Sequence, residues 1–339
     1  MSSIRKHWRV LLLGGLISLA AIYLVVKQIN LQELGRALGQ AQYGYVLPTA
    51  ILIILGLAAR AVRWRVLLNY LLPLWRSFNI INVTYLINGL VPFRMGELAR
   101  AFLATRAKPP IPMFTSFSTI IVERLLDTLA VLIILGLALT EAQIPPELQA
   151  AASAFAPMVI VGFAVLVVLA INPGRSATLA ARIIPAAIAK RWHIIQWFQQ
   201  FLDGLKPLTH IGTLLPILLW TVIAWSLSIA SGYVLMIAFF GEGNWMATCL
   251  FTAAASFAVA VPAVPGNVGP YEASIVLALQ AMNLSGTYET MVAFAIVIHA
   301  LNLGMSAVLG VFGFIQEGIS LEQLSEGMRG IRQQESAAG

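Results

Sequence analysis

Charged residues interrupt two strongly apolar stretches of this sequence, and they are the residues best suited to chemistry. The first group is Arg94, Glu97 and Arg100, which follows Asn88 and a proline-containing break in an apolar run. A guanidinium group binds phosphate through two parallel hydrogen bonds, and the amides at a helix N-terminus favour an anion. If a helix begins near Gly96, the three charges share one face. We predict a phosphate site; the alternative is an ordinary membrane edge with Glu97 paired to Arg100.

The second group is Glu123, Arg124 and Asp127, which lies within an otherwise apolar segment, residues 115–139. A charge at the middle of a membrane helix costs about 2.5–3.5 kcal/mol on insertion scales, so such residues persist where they pair or face a wet cavity. Glu123 and Asp127 share a helical face, and Arg124 reaches Asp127 three residues on. The group is either a head-group site or a self-neutralised structural cluster, and one set of side chains can be both.

A third stretch, residues 262–272, combines prolines and glycines with a single acid. Glycine lets another backbone approach closely, and a helix broken here frees amides and carbonyls that must face protein or water. The alternative is a plain loop outside the membrane. We expect the acid to lie opposite the first two groups. The site residues predicted in this stretch are Pro265, Gly266, Gly269 and Glu272.

Two further groups have ordinary structural explanations. Arg60, Arg63 and Arg65, beside Trp64, are typical of side chains that anchor a helix at the membrane interface. His299 and Asn302 share one side of the last apolar segment, where a lone histidine is usually packed and hydrogen-bonded.

The sequence contains no sign of a cofactor or metal site. No nucleotide-binding, hydrolase or metalloprotease fingerprint occurs in a suitable context. The single cysteine, Cys249, offers neither an internal disulfide nor a pair of metal ligands. We therefore expect no cofactor and no bound metal.

Composition places the charged groups in a membrane protein. Of the 339 residues, 59% are hydrophobic and 10% are charged, with a mean hydropathy of +0.86, whereas about a quarter of the residues of soluble domains are charged. The apolar runs are continuous rather than alternating, unlike those of a transmembrane β-barrel. The net charge of +7 fits the surplus of Lys and Arg on cytoplasmic loops, so we expect no nucleic-acid partner. The predicted fold class is an all-α polytopic membrane protein.

About six segments are long enough to cross a membrane, since about 20 apolar residues span the hydrocarbon core. Two further apolar elements are broken by proline and glycine, and runs of about 10–14 residues are typical of re-entrant segments. A polar loop is predicted at 27–42. The predicted spans are 8–26, 43–61, 115–139, 151–171, 214–240 and 290–315, and the predicted re-entrant elements are 78–91 and the pair 246–261 and 273–282.

These elements form one transmembrane domain, residues 1–315, followed by a cytoplasmic tail at 316–339. The domain divides into halves at 8–139 and 151–315, each with two helices, a broken element and a further helix. The second half starts on the opposite side, so the halves are predicted to be inverted repeats, which place transporter sites at their broken helices. A basic connection, 172–211, has apolar residues at helical spacing and predicts amphipathic helices on the cytoplasmic membrane face.

Both termini are predicted to be cytoplasmic. With that orientation, only Lys27 and Arg36 of the 21 Lys and Arg residues fall on the outer side, while Arg124 lies within a helix. The rule that basic residues accumulate on the cytoplasmic side asks for such an asymmetry. The first apolar segment lacks a cleavage site and is expected to remain as a membrane anchor.

Taken together, the charged and broken stretches resemble the transmembrane region of the lysylphosphatidylglycerol synthases, a family of flippase-like membrane proteins. The resemblance implies an integral protein of the plasma (inner) membrane. In full-length synthases such a membrane part moves an aminoacylated lipid, and a separate C-terminal cytosolic domain makes that lipid. We expect that domain, and tRNA-dependent synthesis, to be absent here. The matching stretches occur in family order: Arg60 to Arg65, Asn88 to Arg100, Glu123 to Asp127, and Pro262 to Glu272.

The leading hypothesis is a lipid translocase, with transport favoured over covalent chemistry. An anionic or zwitterionic head group would pass through a polar groove between the broken elements while the tails stay in lipid. Arg94, Arg100 and Arg124 would bind phosphate, and the four acids would balance charge or contact an amino group. The identity of the lipid remains open among aminoacyl-, glyco- and isoprenoid lipids. Two other functions are also possible: an intramembrane glycosyl- or phosphotransferase that acts on a lipid-linked donor, and a non-catalytic partner of a lipid-modifying enzyme.

Overall fold

The computed structural model describes residues 15–16, 18–91, 94–140, 157, 160–162, 164–183, 194–260 and 265–318. Within these ranges the regular elements are α-helices and short 3-10 turns, with no strand among them. Residues 18–26 and 164–171 are helical as well. The remaining helices are α1 (Leu31–Gln40), α2 (Val46–Leu67), α3 (Leu74–Leu90), α4 (Met95–Thr105), α5 (Met113–Ala138), α6 (Pro173–Ile183), α7 (Ile194–Leu205), α8 (Ile211–Phe240), α9 (Trp245–Ala260), α10 (Pro270–Ala281) and α11 (Tyr288–Glu317).

Three helices of the described residues have the length and apolar composition to cross a membrane. They are α2 with its preceding turn (Tyr43–Leu67), α8 and α11, with mean hydropathies of 2.0, 1.9 and 2.1. Helix α5 is also long, at 26 residues, but it carries three charges near its middle. The predicted all-α polytopic membrane fold is confirmed. The spans predicted at 8–26 and 151–171 lie partly outside the described residues, which are helical at 18–26 and 164–171.

Both predicted breaks are interruptions of the helical backbone. Helices α3 and α4 are separated by a bend at which Arg94 takes a left-handed conformation (φ 50°). Before α10, Gly266 and Gly269 take positive φ angles of 73° and 98°, which glycine adopts without the steric penalty that a side chain brings. Pro270 then occupies the first position of α10, where its missing N–H costs nothing. The broken helices are present, and their re-entry to one side of a membrane stays a prediction.

The two breaks lie against each other. Helix α3 packs along α11, and its end contacts the turn Pro265–Asn267. A Cβ placed on Gly266 would lie 3.9 Å from the carbonyl oxygen of Gly89. Across the breaks, Arg94 Nη2 donates to the carbonyl oxygen of Val259 at 3.4 Å. The broken elements therefore meet where their helices are interrupted.

Helix packing in one half of the chain has counterparts in the other. Helix α2 packs on α8; α3 packs on α11, and α9 packs on α5. Likewise, α4 lies between α3 and α5, and α10 lies between α9 and α11. In chain order, α2, α3, α4 and α5 of the half 8–139 correspond to α8, α9, α10 and α11 of the half 151–315. With this correspondence, each of these contacts has an equivalent contact when the two halves are exchanged. The inversion of one half across the membrane stays a prediction.

The segment predicted as a polar loop, 27–42, contains α1. Asn30 caps this helix, because its Oδ1 accepts hydrogen bonds from the amides of Gln32 and Glu33 at 3.0 and 3.4 Å. The Asn30 amide donates to Glu289 Oε1 at 3.0 Å, which holds α1 against α11. An N-terminal cap and a tertiary contact thus make a helix from a stretch too polar to cross a membrane.

The basic connection contains α6 and α7, as its helical spacing predicts. Helix α7 packs against α5: Thr115 Oγ1 donates to the Gln200 carbonyl oxygen at 3.0 Å, and Leu202 and Leu205 are buried. The segment 184–193 and the tail from 319 onward lie outside the described residues.

Candidate functional site

Seven charged side chains from α2, α5 and the start of α4 form a continuous chain of ion pairs, which we call the ion cluster. The chain begins beside the first break, crosses to α5 and α2, and returns to α4. Charged groups that are separate in sequence therefore occupy one place. Its members alternate in sign in this order: Arg94, Glu97, Arg124, Asp127, Arg63, Glu123 and Arg100.

Arg63 holds the centre of the ion cluster. Its Nη1 and Nη2 donate to Asp127 Oδ1 and Oδ2 at 2.7 and 3.1 Å, and its Nε donates to Glu123 Oε1 at 3.3 Å. Nη1 also reaches Thr221 Oγ1 at 3.3 Å. The side chain is 1% exposed. The interpretation of Arg63 as an interfacial anchor is wrong, since two carboxylates bind it in the protein interior.

Arg100 and Glu123 form the deepest pair of the ion cluster. Arg100 Nη1 lies 2.5 Å from Glu123 Oε2, and both side chains are at most 2% exposed. The Arg100 guanidinium lies over the ring of Trp64, 4.0 Å from its centroid, and Trp64 Nε1 donates to Thr119 Oγ1 at 3.1 Å. This cation–π contact offsets the absence of hydrogen bonds at Arg100 Nε and Nη2. Glu97 does not pair with Arg100.

A cavity of about 500 Å³ lies between the ion cluster and the second break. Its charged wall consists of Arg60, Arg94, Arg124 and Asp127. The side chains of Arg94 and Arg124 are 37% and 36% exposed, although the rest of the ion cluster is largely buried. The two breaks contribute a further part of the lining, namely Asn88, Gly89, Gly266 and Asn267.

The facing wall of the cavity carries neutral polar side chains among apolar ones, and no carboxylate. His299 lines it, with Nδ1 2.5 Å from Glu272 Oε1. The ring of Tyr271 stacks on His299 with centroids 4.1 Å apart. His299 is buried and hydrogen-bonded as expected, yet it also faces the cavity. Neutral donors and acceptors complete this wall: Ser228, Ser231, Thr252, Ser256, Asn302 and Ser306.

Asn88 links the two helices on either side of the first break, α3 and α4. Its Oδ1 accepts a hydrogen bond from the Gly96 amide at 2.8 Å, and a Cβ on Gly96 would lie only 2.7 Å from that oxygen. The Glu97 amide donates to the Arg94 carbonyl oxygen at 3.0 Å. Two amides at the start of α4 are therefore used within the protein. Anion binding here must rest on the arginine side chains more than on the helix N-terminus.

The predicted site residues separate into those that line the cavity and those that support its walls. Glu97, Arg100 and Glu123 belong to the ion cluster behind the wall, and Pro265 lies exposed at the second break. A head-group role for each residue stays a prediction. The predicted residues that line the cavity are Asn88, Arg94, Arg124, Asp127 and Gly266.

Gly269 and Glu272 have structural positions near the second break. A Cβ on Gly269 would lie 2.8 Å from the Ser18 carbonyl oxygen, so this glycine lets the helix at 18–26 pack closely. Glu272 Oε2 accepts from the Gly269 amide at 2.7 Å and caps α10. The expectation that Glu272 faces the ion cluster is wrong, because it lies behind His299 and is absent from the cavity lining.

Arg60 is a cavity residue that sequence analysis did not select. Its Nη2 donates to Ser228 Oγ at 3.1 Å, and its guanidinium lies 5.8 Å from the ring centroid of Trp225. Trp225 Nε1 in turn donates to Asp127 Oδ1 at 3.2 Å. The spacing of Arg60 and Arg63, three residues apart, is the signal that indicates a shared inward face. It was missed because α2 continues to Leu67, beyond the predicted end at 61.

The described part of the chain brings together no three His, Cys, Asp or Glu side chains that could hold a metal ion. The carboxylates of the ion cluster are separated from one another by arginines. This arrangement suits an anionic partner better than a cation.

Comparison with known proteins identifies the family. Residues 11–310 match the family described as "Lysylphosphatidylglycerol synthase TM region". No curated protein and no solved structure matches the chain. The family match and the apolar helices make this an integral membrane protein related to lipid handling. As the charged and broken stretches indicate, the chain belongs to the lysylphosphatidylglycerol synthase transmembrane-region family.

Proposed function

We propose that the protein is a lipid translocase that moves a phosphate-bearing head group through the cavity between its two broken elements. The observation that carries this proposal is the wall of three guanidinium groups, from Arg60, Arg94 and Arg124, at the point where the breaks meet. Transporters commonly bind their substrates at discontinuous helices near the membrane centre. The family's relation to lipid handling points to a lipid as the substrate.

Arg124 has the hydrogen-bonding capacity for this role. Its partners Glu97 and Asp127 lie 3.6 and 3.7 Å away, beyond the usual hydrogen-bond length of about 2.7–3.2 Å. Its Nε is buried and faces Glu97, whereas the side chain as a whole is 36% exposed. A hydrogen bond to a charged group contributes about 1.5–3 kcal/mol, so a phosphate oxygen here would be bound favourably.

The outer surface suits lipid tails. Large apolar side chains on the outward faces of α2, α8 and α11 are exposed, for example Leu47 at 69%, Leu219 at 57% and Val308 at 66%. Such a surface is stable against hydrocarbon, whereas soluble proteins rarely expose large continuous apolar patches. A head group would cross inside while its tails follow this surface. We place the protein in the plasma (inner) membrane with both termini cytoplasmic.

A transferase is less well supported by the cavity. An intramembrane glycosyl- or phosphotransferase needs an acid free to act as a base or metal ligand. Among the described residues, the carboxylate lining the cavity is that of Asp127, and Arg63 binds both of its oxygens. The geometry thus favours binding and passage over covalent chemistry.

Translocation in proteoliposomes tests the proposal. Phosphatidylglycerol with a fluorescent label is placed in both leaflets, and dithionite bleaches the label that reaches the outer leaflet. The double variant Glu97→Ala/Arg124→Ala removes the ion pair between these residues, and their contacts with Arg94 and Asp127, without changing the net charge. We expect its rate to fall by about tenfold or more, which corresponds to about 1.4 kcal/mol.

The matched control is Asp203→Ala/Lys206→Ala. It removes an exposed ion pair (2.7 Å, side chains 52% and 56% exposed) at the end of α7. We expect this variant to retain the wild-type rate. If the wild-type protein bleaches no faster than empty liposomes, or if the cavity variant equals the wild type, the proposal is contradicted.

A further inference from the structure

Positive charge exceeds negative charge around the cavity. The ion cluster alternates in sign but begins with Arg94 and ends with Arg100, so it has one more arginine than carboxylate. Arg60 adds another positive charge. Among the described residues, no carboxylate forms an ion pair with it, and its Nη2 donates to the neutral hydroxyl of Ser228. The cavity and the ion cluster beside it therefore carry a net positive charge that an anion would neutralise.

The carboxylate that lines the cavity, that of Asp127, is already bound by donors of the protein. Asp127 Oδ1 accepts hydrogen bonds from Arg63 Nη1 at 2.7 Å and from Trp225 Nε1 at 3.2 Å. Asp127 Oδ2 accepts from Arg63 Nη2 at 3.1 Å. An ammonium group would have only the remaining lone pair of Oδ2 as a partner, and Arg124 Nη2 already lies 3.7 Å from that oxygen.

The other acids near the cavity stand behind its walls. Glu123 is 1% exposed and is held by two arginines. Glu97 is 19% exposed and also lies between two arginines. Glu272 uses one oxygen for His299 and the other for a backbone amide. None of the three belongs to the cavity lining.

We infer that the cavity selects a net-anionic lipid head group and excludes a cationic one, such as a lysylated phosphatidylglycerol head group. This inference rests on the proposed function and specifies its substrate class. An ammonium group would meet three guanidinium groups and no free carboxylate, and a partly buried, unpaired charge is unfavourable. A phosphodiester with a polyhydroxyl head meets the arginines on one wall and hydroxyl and amide partners on the other.

Paired translocation assays in proteoliposomes test this selectivity. Fluorescent phosphatidylglycerol is followed by dithionite bleaching, and lysylphosphatidylglycerol is followed by a membrane-impermeant amine reagent. We expect the rate above empty liposomes to be at least about tenfold higher for phosphatidylglycerol. Arg60→Glu places a carboxylate at the cavity and should lower the ratio of the phosphatidylglycerol rate to the lysylphosphatidylglycerol rate. Arg36→Glu makes the same charge change on the exposed helix α1 and should leave it unchanged. Equal rates for the two lipids would overturn the inference.

A binding measurement separates this inference from the proposed function. Thermal unfolding of the purified protein in detergent is followed with dihexanoyl phosphatidylglycerol, with its lysyl ester, and with inorganic phosphate, since a bound ligand raises the midpoint. Stabilisation by the anionic lipid but not by the lysyl ester supports the selectivity of the cavity, whether or not the lipids are translocated. If neither lipid is translocated in liposomes, that result contradicts the proposed translocase function and leaves the selectivity supported. Stabilisation by the lysyl ester overturns the selectivity. Equal stabilisation by inorganic phosphate supports an anion site and contradicts a lipid substrate.

Discussion

The guanidinium of Arg63 and the carboxylate of Asp127 form a two-point ion pair between α2 and α5, with N···O distances of 2.7 and 3.1 Å. The side chains are 1% and 15% exposed. Because Asp127 also lines the cavity, this pair joins the buried part of the ion cluster to the wall on which Arg124 lies. Stability and the proposed head-group binding therefore depend on one continuous set of charges.

Replacement of Arg63 by alanine should destabilise the protein strongly. The substitution leaves Glu123 and Asp127 as buried carboxylates without their shared partner, and breaking a buried pair in this way costs about 3–5 kcal/mol. Thermal unfolding in detergent measures the loss. Arg36→Ala, at an exposed position of α1, is the control and should keep the wild-type Tm. An Arg63→Ala protein as stable as the control would show that the ion pairs do not hold these helices.

Close packing of α11 on α3 depends on Gly313. A Cβ at this position would lie 2.7 Å from the backbone carbonyl oxygen of Asn79, whereas a Cβ on Gly304 of the same helix meets nothing within 4 Å. Overpacking costs about 1–3 kcal/mol, so Gly313→Ala should lower the unfolding temperature and Gly304→Ala should not. Equal midpoints for the two variants would contradict the packing of these helices.

Loss of the Asn88 side chain should loosen the first break. Asn88 Oδ1 accepts from the Gly96 amide, and loss of a cap of this kind costs about 1 kcal/mol. Hydrogen–deuterium exchange of Asn88→Ala should therefore be about fivefold faster at the first turn of α4. Asn30→Ala removes the cap of α1 and should accelerate exchange there only. Unchanged exchange at α4 in Asn88→Ala would mean that this hydrogen bond does not hold the break.

Hydropathy was sufficient to predict most of the fold, because long apolar runs and proline–glycine breaks are local properties of a sequence. The ion cluster was predicted in part: the pairing of Arg124 with Asp127, three residues apart, is confirmed at 3.7 Å. The role of Arg63 was missed because its partners lie on another helix, and pairing between helices leaves no local signal. His299 was placed correctly as a packed residue, but its exposure to the cavity depends on the second break.

Glu272 could have been placed from its local sequence. It lies three residues after Gly269, at the spacing at which an acid reaches back to the amide of the helix cap, and Pro270 marks the helix start between them. Its capping role was missed because the stretch was interpreted as part of a polar groove. The position of α1 depended on a contact with Glu289, which no local pattern reveals.

Water-filled and lipid-facing surfaces should be distinguishable on α11. Ser306 lines the cavity, whereas Val308, two residues on, is 66% exposed on the apolar outer surface. In a Cys249→Ala background, a charged methanethiosulfonate reagent should label Ser306→Cys in membranes and leave Val308→Cys unlabelled, because the reagent does not enter hydrocarbon. The reverse pattern would mean that the cavity is not reached by water.

Blocking the cavity during transport tests the central claim most directly. The Ser306→Cys protein, in the same background, is reconstituted and labelled with a bulky methanethiosulfonate reagent, and its phosphatidylglycerol translocation rate is measured before and after labelling. Lys206→Cys, at a side chain that is 56% exposed, is the labelled control. We predict that labelling at Ser306 abolishes translocation and that reduction of the mixed disulfide restores it, while labelling at Lys206 has no effect. An unchanged rate in fully labelled Ser306→Cys protein would contradict passage of the head group through this cavity.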